Sequence, residues 1–359
     1  MSARFTAEWL MQQKFPPLRY AVPQIVPEGM TLLVAAPKIG KSWMALGLAL
    51  SLSNGTDAFG CLHTGKPRPV LYLALEDGQR RLQDRLRNLS ATVSHRLQFE
   101  TEMAENRVIV TISGFMLEHA GLDPVVILDT LGKVMPQAQG NASAYGHDYK
   151  VLSALKRTSD AVPGSSLIIV HHTRKGEGGD FLDAVSGTQG IAGAADTVLV
   201  LKRERHEKRA TLQVTSRDAA EGEYALTLSE SGEWTLDGGD LATAALAART
   251  VKAQEGVGDR MAEVIAKVAD FPQGISPHDI GILLGMDDKT AQVYLGRAYE
   301  TERVTKPKRG LYTPVGSVGL LVSPSPNTNT PTQPTPPQVV RDKALDLKFA
   351  EVEIERTEK

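Results

Sequence analysis

One segment restricts the fold more than any other. An apolar run at residues 31–35 passes into Ala35-Ala36-Pro37-Lys38-Ile39-Gly40-Lys41-Ser42, and a helical pattern over 42–52 follows at once. Strand, glycine-bearing turn and helix in that order make a phosphate cradle: successive backbone N–H groups wrap an anion and the helix N-terminus adds its positive end. The spacing is that of a Walker A loop, with Ala35 where glycine is commonest. Gly40 allows close backbone approach, Lys41 reaches the β- and γ-phosphate oxygens, and the Ser42 hydroxyl ligates Mg²⁺. Ala36, Pro37, Lys38, Ile39 and Trp43 complete the expected nucleotide contacts. A chance Gly-Lys-Ser in a strand–helix turn is the plain alternative.

A loop of this kind needs a buried parallel sheet behind it, and the chain supplies candidates. Continuous apolar runs at 31–35, 70–75, 108–112, 125–128, 167–170 and 197–201 read as strands buried on both faces. Helical patterns at 42–52, 79–89 and 148–159 alternate with them, which predicts an α/β fold with a mainly parallel sheet. Alternating segments at 210–215, 224–228 and 233–236 read as antiparallel strands finishing one edge. The expected organisation is an entry segment (1–30), the ATPase domain (31–237), a linker with helical character around 242–252 (238–258), a small C-terminal domain (259–315), and a Pro/Thr-rich tail (316–359) with a short terminal helix that forms on a partner.

Composition excludes little. A net charge of −2 argues only against a strongly basic protein, since local basic loops still grip phosphates. With Cys61 as the one cysteine there is no intrachain disulfide or cysteine-based metal site. No apolar run is long enough to span a membrane and no leader is evident, so a cytoplasmic protein is expected.

Three further strand ends carry chemistry. Val125-Val126-Ile127-Leu128-Asp129-Thr130 is an apolar strand closed by a carboxylate, as a Walker B strand requires, with Asp129 holding the Mg²⁺ shell. Leu71-Tyr72-Leu73-Ala74-Leu75-Glu76-Asp77 ends in two acids, and Glu76 is placed to polarise an attacking water; the alternative is that both acids merely start the next helix. Leu167-Ile168-Ile169-Val170-His171-His172-Thr173 ends in polar residues, one of which would sense the γ-phosphate unless both histidines are simply part of the core.

Taken as a set, Pro37-Lys38-Ile39-Gly40-Lys41-Ser42, Leu75-Glu76-Asp77, Ile127-Leu128-Asp129-Thr130-Leu131, His171-His172-Thr173-Arg174-Lys175-Gly176 and Ala184-Val185-Ser186-Gly187-Thr188 resemble the RepA-type (AAA_25-like) branch of RecA-like ATPases, which contains hexameric plasmid replicative helicases. The resemblance covers about residues 15–230. It implies a RecA-like core that binds ATP and Mg²⁺, with Glu76 as water activator and His171 as γ-phosphate sensor, His172 its neighbour. It also implies a homo-oligomeric ring, a hexamer, in which an arginine of the neighbouring subunit reaches the γ-phosphate. Arg217 resembles that position, with Arg203 and Arg205 as competitors; where the family often has Lys-x-Arg, this chain has Ser216-Arg217.

Residues 173–189 are polar and glycine-rich and follow the sensor directly. The resemblance points this loop at a ring channel, with Arg174 and Lys175 on single-stranded DNA phosphates and Phe181 stacking on a base; an ordinary surface loop is the alternative. Residues 259–315 resemble a winged helix, three helices followed by a hairpin with a basic tip. Lys289, Gln292, Tyr294 and Arg297 would line the recognition helix, while Lys306, Lys308 and Arg309 would hold duplex phosphates. Asp287, Asp288 and Glu300 around that helix keep a protein partner open. The expected function is an ATP-driven motor on DNA, a ring helicase or translocase of a phage, plasmid or related mobile element. The rivals are a helicase loader or regulatory switch and a nucleotide-sensing DNA-binding regulator.

Overall fold

The computed structural model describes residues 4–89, 92–135, 144–172, 193–204, 206–254 and 257–316. Its centre is a nine-stranded sheet built from β1 (Gly29–Ala35), β2 (Val70–Ala74), β3 (Leu97–Glu100), β4 (Val125–Asp129), β5 (Ser166–His172), β6 (Thr197–Lys202), β7 (Arg209–Ser216), β8 (Gly222–Leu228) and β9 (Trp234–Leu236). In space the order is 9-8-7-6-1-5-4-2-3. Neighbours from β6 across to β3 run parallel, and β7, β8 and β9 form an antiparallel meander on the β6 side. The central strands are buried along most of their length because helices cover both faces, which is why they read as unbroken Val/Ile/Leu runs.

The helices that matter for the site are α1 (Ala7–Gln12), α2 (Lys41–Asn54), α3 (Gln79–Asn88), α4 (Val108–Glu118) and α5 (Ala144–Asp160). One apolar layer joins α2 to the sheet through Leu33, Ala45, Leu48, Leu52 and Ile168. The other joins α4 and α5 to the opposite face through Leu32, Ile112, Met116, Val126 and Leu155.

One expectation is corrected here. Residues 108–112 are the first turns of α4, not a strand. Val108, Ile112, Phe115 and Met116 are the buried positions, a helical spacing hidden inside a uniformly apolar run. The outermost parallel strand is instead β3, whose sequence Leu-Gln-Phe-Glu is too short and polar to stand out. Residues 241–254 form α6 (Leu241–Gln254), where helical character was expected around 242–252; it buries Ala244 and Ala248 and packs on β8.

Beyond α6, the helices α7 (Asp259–Ala269), α8 (Pro277–Leu284) and α9 (Asp288–Glu300) lead into a hairpin of β10 (Val304–Lys308) and β11 (Leu311–Pro314). Ser276 caps α8 by accepting from the Asp279 amide at 3.2 Å, with Pro277 in the first turn, and Gly285 ends it with φ +63°. Asp287 caps α9 in the same way, accepting from the Thr290 amide at 2.9 Å. Val264, Ile280, Leu295, Val304 and Tyr312 form a separate small core. Among the described residues no helix is long and apolar enough to cross a membrane.

Candidate nucleotide site

The parallel register brings the predicted residues to one end of the sheet. Ala35 at the end of β1 pairs with His172 at the end of β5, Ala74 on β2 pairs with Asp129 on β4, and the Leu75 amide donates to the Asp129 carbonyl at 2.8 Å. Glu76, Asp129, His172 and the loop before α2 therefore converge where an open α/β sheet places its ligands.

The loop itself is fixed from behind. Gly40 takes φ +103°, and a Cβ there would lie 2.9 Å from the Trp234 ring, so both backbone and space demand glycine. Trp234 Nε1 donates to the Gly40 carbonyl at 3.1 Å, and Arg203 Nε donates to the Ile39 carbonyl at 3.0 Å. Trp43, directly after Ser42, lies beneath the Arg85 guanidinium at 5.4 Å and packs so closely on Gly232 that a Cβ there would meet its ring. Arg85 is held by the buried Asp77 carboxylate, which also accepts from Arg81 at 2.8 Å. A groove of about 440 Å³ opens beside Trp43 and Trp234, lined also by Met44, Leu48 and Phe59.

Lys41 is buried, and its Nζ lies 2.5 Å from His172 Nδ1. An ammonium can only donate, so His172 accepts at Nδ1 and carries its proton at Nε2, 3.5 Å from Glu76 Oε1. Glu76 Oε1 also accepts from Thr130 Oγ1 at 3.3 Å. Burial pushes the Lys41 pKa down, opposed by the negative charges of Asp129 and Glu76. Burial likewise pushes the Asp129 carboxyl up, opposed by the Tyr72 and Ser42 hydroxyls. Tyr72 donates to Asp129 Oδ2 at 2.8 Å, while Oδ1 is buried with no hydrogen-bond partner. A buried carboxylate oxygen left without a donor, beside the Ser42 hydroxyl, suits a cation or its bound water.

The structure brings together Lys41, Ser42, Glu76, Asp129 and His172. His172, rather than His171, faces Lys41 and Glu76, because the alternation along β5 turns the preceding side chain to the other face. Arg217 does not join them. Ser216 pairs with Thr197 at the start of β6, and Arg217 Nη2 donates to the Gly193 carbonyl at 2.9 Å, so it sits at the opposite end of the sheet from the phosphate loop. Arg203 is at the loop end, engaged with the Ile39 carbonyl and, at 2.5 Å, the Glu207 carbonyl. Arg174, Lys175, Phe181 and Arg205 lie outside the described residues. In the C-terminal module Lys289, Arg297, Lys308 and Arg309 are exposed, while Lys306 lies over Tyr312 at 5.2 Å and Tyr299 at 6.0 Å. Tyr72, Arg85 and Trp234 were not legible as site residues, and Arg203 was read only as a competitor for the arginine that acts on a neighbouring subunit. Its contact with the loop had a signal available, since Arg203 stands directly past the end of a parallel strand, as Glu76 stands two residues past one.

A parallel sheet with a P-loop, a Walker B aspartate and a strand-end glutamate at one edge defines a RecA-like ATPase. Residues 2–178 match the model of the AAA_25 family, an AAA domain. Among solved structures the chain is similar to the ATPase domain of G40P, with 15% identity and TM-score 0.47 over 58% of this chain and 84% of that one. It is also similar to a DnaB-like replicative helicase described with its interactions with primase, with 16% identity and TM-score 0.47 over 58% of each chain. A third is the KaiC-like protein PH0186 of Pyrococcus horikoshii OT3, with 12% identity and TM-score 0.43 over 62% of this chain and 99% of that one.

Proposed function

We propose that this ATPase is a motor acting on single-stranded DNA, a ring-forming replicative helicase or translocase of a phage, plasmid or related mobile element. The observation that carries the reading is the chain of contacts from Lys41 through His172 to Glu76. His172 is the last residue of β5, and the loop with Arg174 and Lys175 begins at the next position. A γ-phosphate that draws the Lys41 ammonium away changes what His172 contacts at Nδ1, and the loop follows from the same strand end.

In this reading the backbone of residues 36–42 and the Lys41 ammonium bind the phosphates, and the nucleobase lies against Trp43. Ser42 and the free Oδ1 of Asp129 hold Mg²⁺, which supplies positive charge to the phosphate oxygens when bound. Glu76 accepts the proton of the attacking water. Lys289, Arg297, Lys306, Lys308 and Arg309 of the winged-helix-like module face duplex phosphates. A loader or regulatory role is the second reading, favoured by Ile282, Leu283 and Val293, large apolar residues exposed on α8 and α9 where a protein would dock.

Steady-state ATP hydrolysis measured with and without single-stranded DNA, at low salt and high protein concentration, separates the two. Stimulation of tenfold or more is expected for a motor; turnover indifferent to DNA would sink the motor and favour the loader.

Arg217 cannot reach the nucleotide of its own chain, so any catalytic role is exerted on a neighbour. Arg217→Ala is then expected to keep ATP binding and lose turnover, by about 10³-fold where such arginines act. Mixing it with Lys41→Met subunits, which still present Arg217, restores part of the activity. Absence of recovery in the mixture removes Arg217 from the site.

A further inference from the structure

The phosphate loop turns amides to its ligand, and the direction of each amide is tied to a carbonyl. A trans peptide unit is planar, with its C=O and the following N–H pointing in opposite directions. Whatever holds the Ile39 carbonyl therefore aims the Gly40 amide, and whatever holds the Gly40 carbonyl aims the Lys41 amide. Both carbonyls are held by side chains far along the chain: Arg203 Nε donates to Ile39 at 3.0 Å and Trp234 Nε1 donates to Gly40 at 3.1 Å. The Gly40 carbonyl also accepts from the Met44 amide at 3.0 Å, so one lone pair opens the α2 ladder and the other takes Trp234.

Both anchors are themselves fixed. Trp234 is buried, and a buried indole N–H needs a partner, which the Gly40 carbonyl provides. The turn before it is closed on itself: the Ser229 amide donates to the Glu233 carbonyl at 2.9 Å, the Glu233 amide to Ser229 Oγ at 2.9 Å, and the Gly232 amide to the Ser229 carbonyl at 3.1 Å. Leu228 pairs with Trp234 across β8 and β9. In the sheet order β9 lies four strands from β1, yet it meets α2, because the meander curls over that helix with the twist of the sheet. Arg203 is half-buried, and its Nη1 donates to the Glu207 carbonyl at 2.5 Å, so the guanidinium is gripped from a second side.

We infer that Arg203 and Trp234 are positioning residues of the nucleotide site: they pin the carbonyls of Ile39 and Gly40 and so keep the Gly40 and Lys41 amides turned to the phosphates. A loop set in advance loses little freedom on binding, so removing a pin costs affinity. The β-phosphate that these amides meet is present in ATP and ADP alike. Affinity for both nucleotides therefore depends on the pins, while the chemical step draws nothing extra from them. Arg203 is thereby assigned to the nucleotide of its own chain. An arginine that enters a neighbour's site behaves in the reverse way, since its loss spares binding and removes turnover. The inference rests on residues 35–42 being the phosphate site, which Lys41→Met tests apart from it.

The test uses the full chain with Arg203→Met in one variant and Trp234→Phe in another. Methionine keeps most of the arginine stem and phenylalanine keeps an aromatic ring on β9, but each loses its donor. The Kd for Mg-ADP is measured by calorimetry, and turnover is followed over a range of ATP concentrations. Each variant is expected to raise the Kd for ADP and the KM for ATP by roughly tenfold, with kcat lowered by less than about threefold. The melting temperature of the nucleotide-free protein separates a lost pin from a lost fold. Arg203 is only half-buried, so Arg203→Met should melt as the unaltered protein does, even where Trp234→Phe, which shrinks a buried ring, melts lower. If Lys41→Met abolishes ADP binding while Arg203→Met binds it as tightly as the unaltered protein, the inference is overturned and the phosphate site stands. Intact ADP affinity with lost turnover in Arg203→Met overturns it as well, and moves Arg203 into a neighbour's site. Undiminished ADP binding by Lys41→Met removes the phosphate site and this inference with it.

Discussion

Glu76→Gln is expected to bind ATP about as tightly as the unaltered protein and to hydrolyse it 10²–10⁴-fold more slowly, the usual range for a positioned general base. Glutamine keeps the shape and the oxygen that accepts from Thr130, but it cannot accept the proton of water. The neighbouring acid is a poor substitute. Asp77 is buried and its two oxygens are taken by Arg81 and Arg85, whereas Glu76 is exposed at the strand end and turns Oε1 toward His172. Asp77→Asn is thus a useful contrast: it should loosen Arg85 and Trp43 and raise the apparent Kd for ATP, with a smaller effect on the rate at saturation. Phosphate release under saturating ATP, with binding followed separately by a fluorescent nucleotide, distinguishes the two variants. Normal turnover by Glu76→Gln would mean that the water is activated elsewhere.

Why these residues and not others were legible follows from the geometry of strands. A parallel strand delivers its last side chains to the ligand edge, so Glu76 and Asp129 could be read from apolar runs that stop at a polar residue, and Lys41 from the Gly40-Lys41-Ser42 turn that opens α2. The choice between His171 and His172 could not, because it depends on the pleat phase of β5, which the register Ala35–His172 sets. The hold of Arg203 and Trp234 on the phosphate loop escaped for another reason. They act on carbonyls of the phosphate loop from elements some 160 to 190 residues further along the chain, a contact with no local pattern. The error at 108–112 was physical rather than accidental: a run of Val and Ile fits a buried strand or a helix covered on both sides equally well.

Lys41→Met should separate folding from function more sharply than any other substitution here. Lys41 is 5% exposed, and burial is the largest influence on its ammonium, favouring the neutral form. At neutral pH the folded chain therefore carries a charge that its surroundings disfavour, only partly offset by Asp129 and Glu76. Methionine keeps the volume without the charge, so the melting temperature of the apo protein is expected to stay within a few degrees or to rise. The phosphates lose their one buried cation at the same time. Charge-assisted contacts of this type contribute several kcal/mol when desolvated, which corresponds to a loss of two orders of magnitude or more in ATP affinity. A ligand stabilises a fold only through its affinity for the folded state, so the rise in melting temperature on adding Mg²⁺ and ATP should vanish along with turnover. Thermal melts with and without Mg-ATP measure both quantities in one experiment. A variant that melts as before and is still stabilised by ATP would show that the phosphates bind without Lys41, and the site would have to be drawn again around other residues.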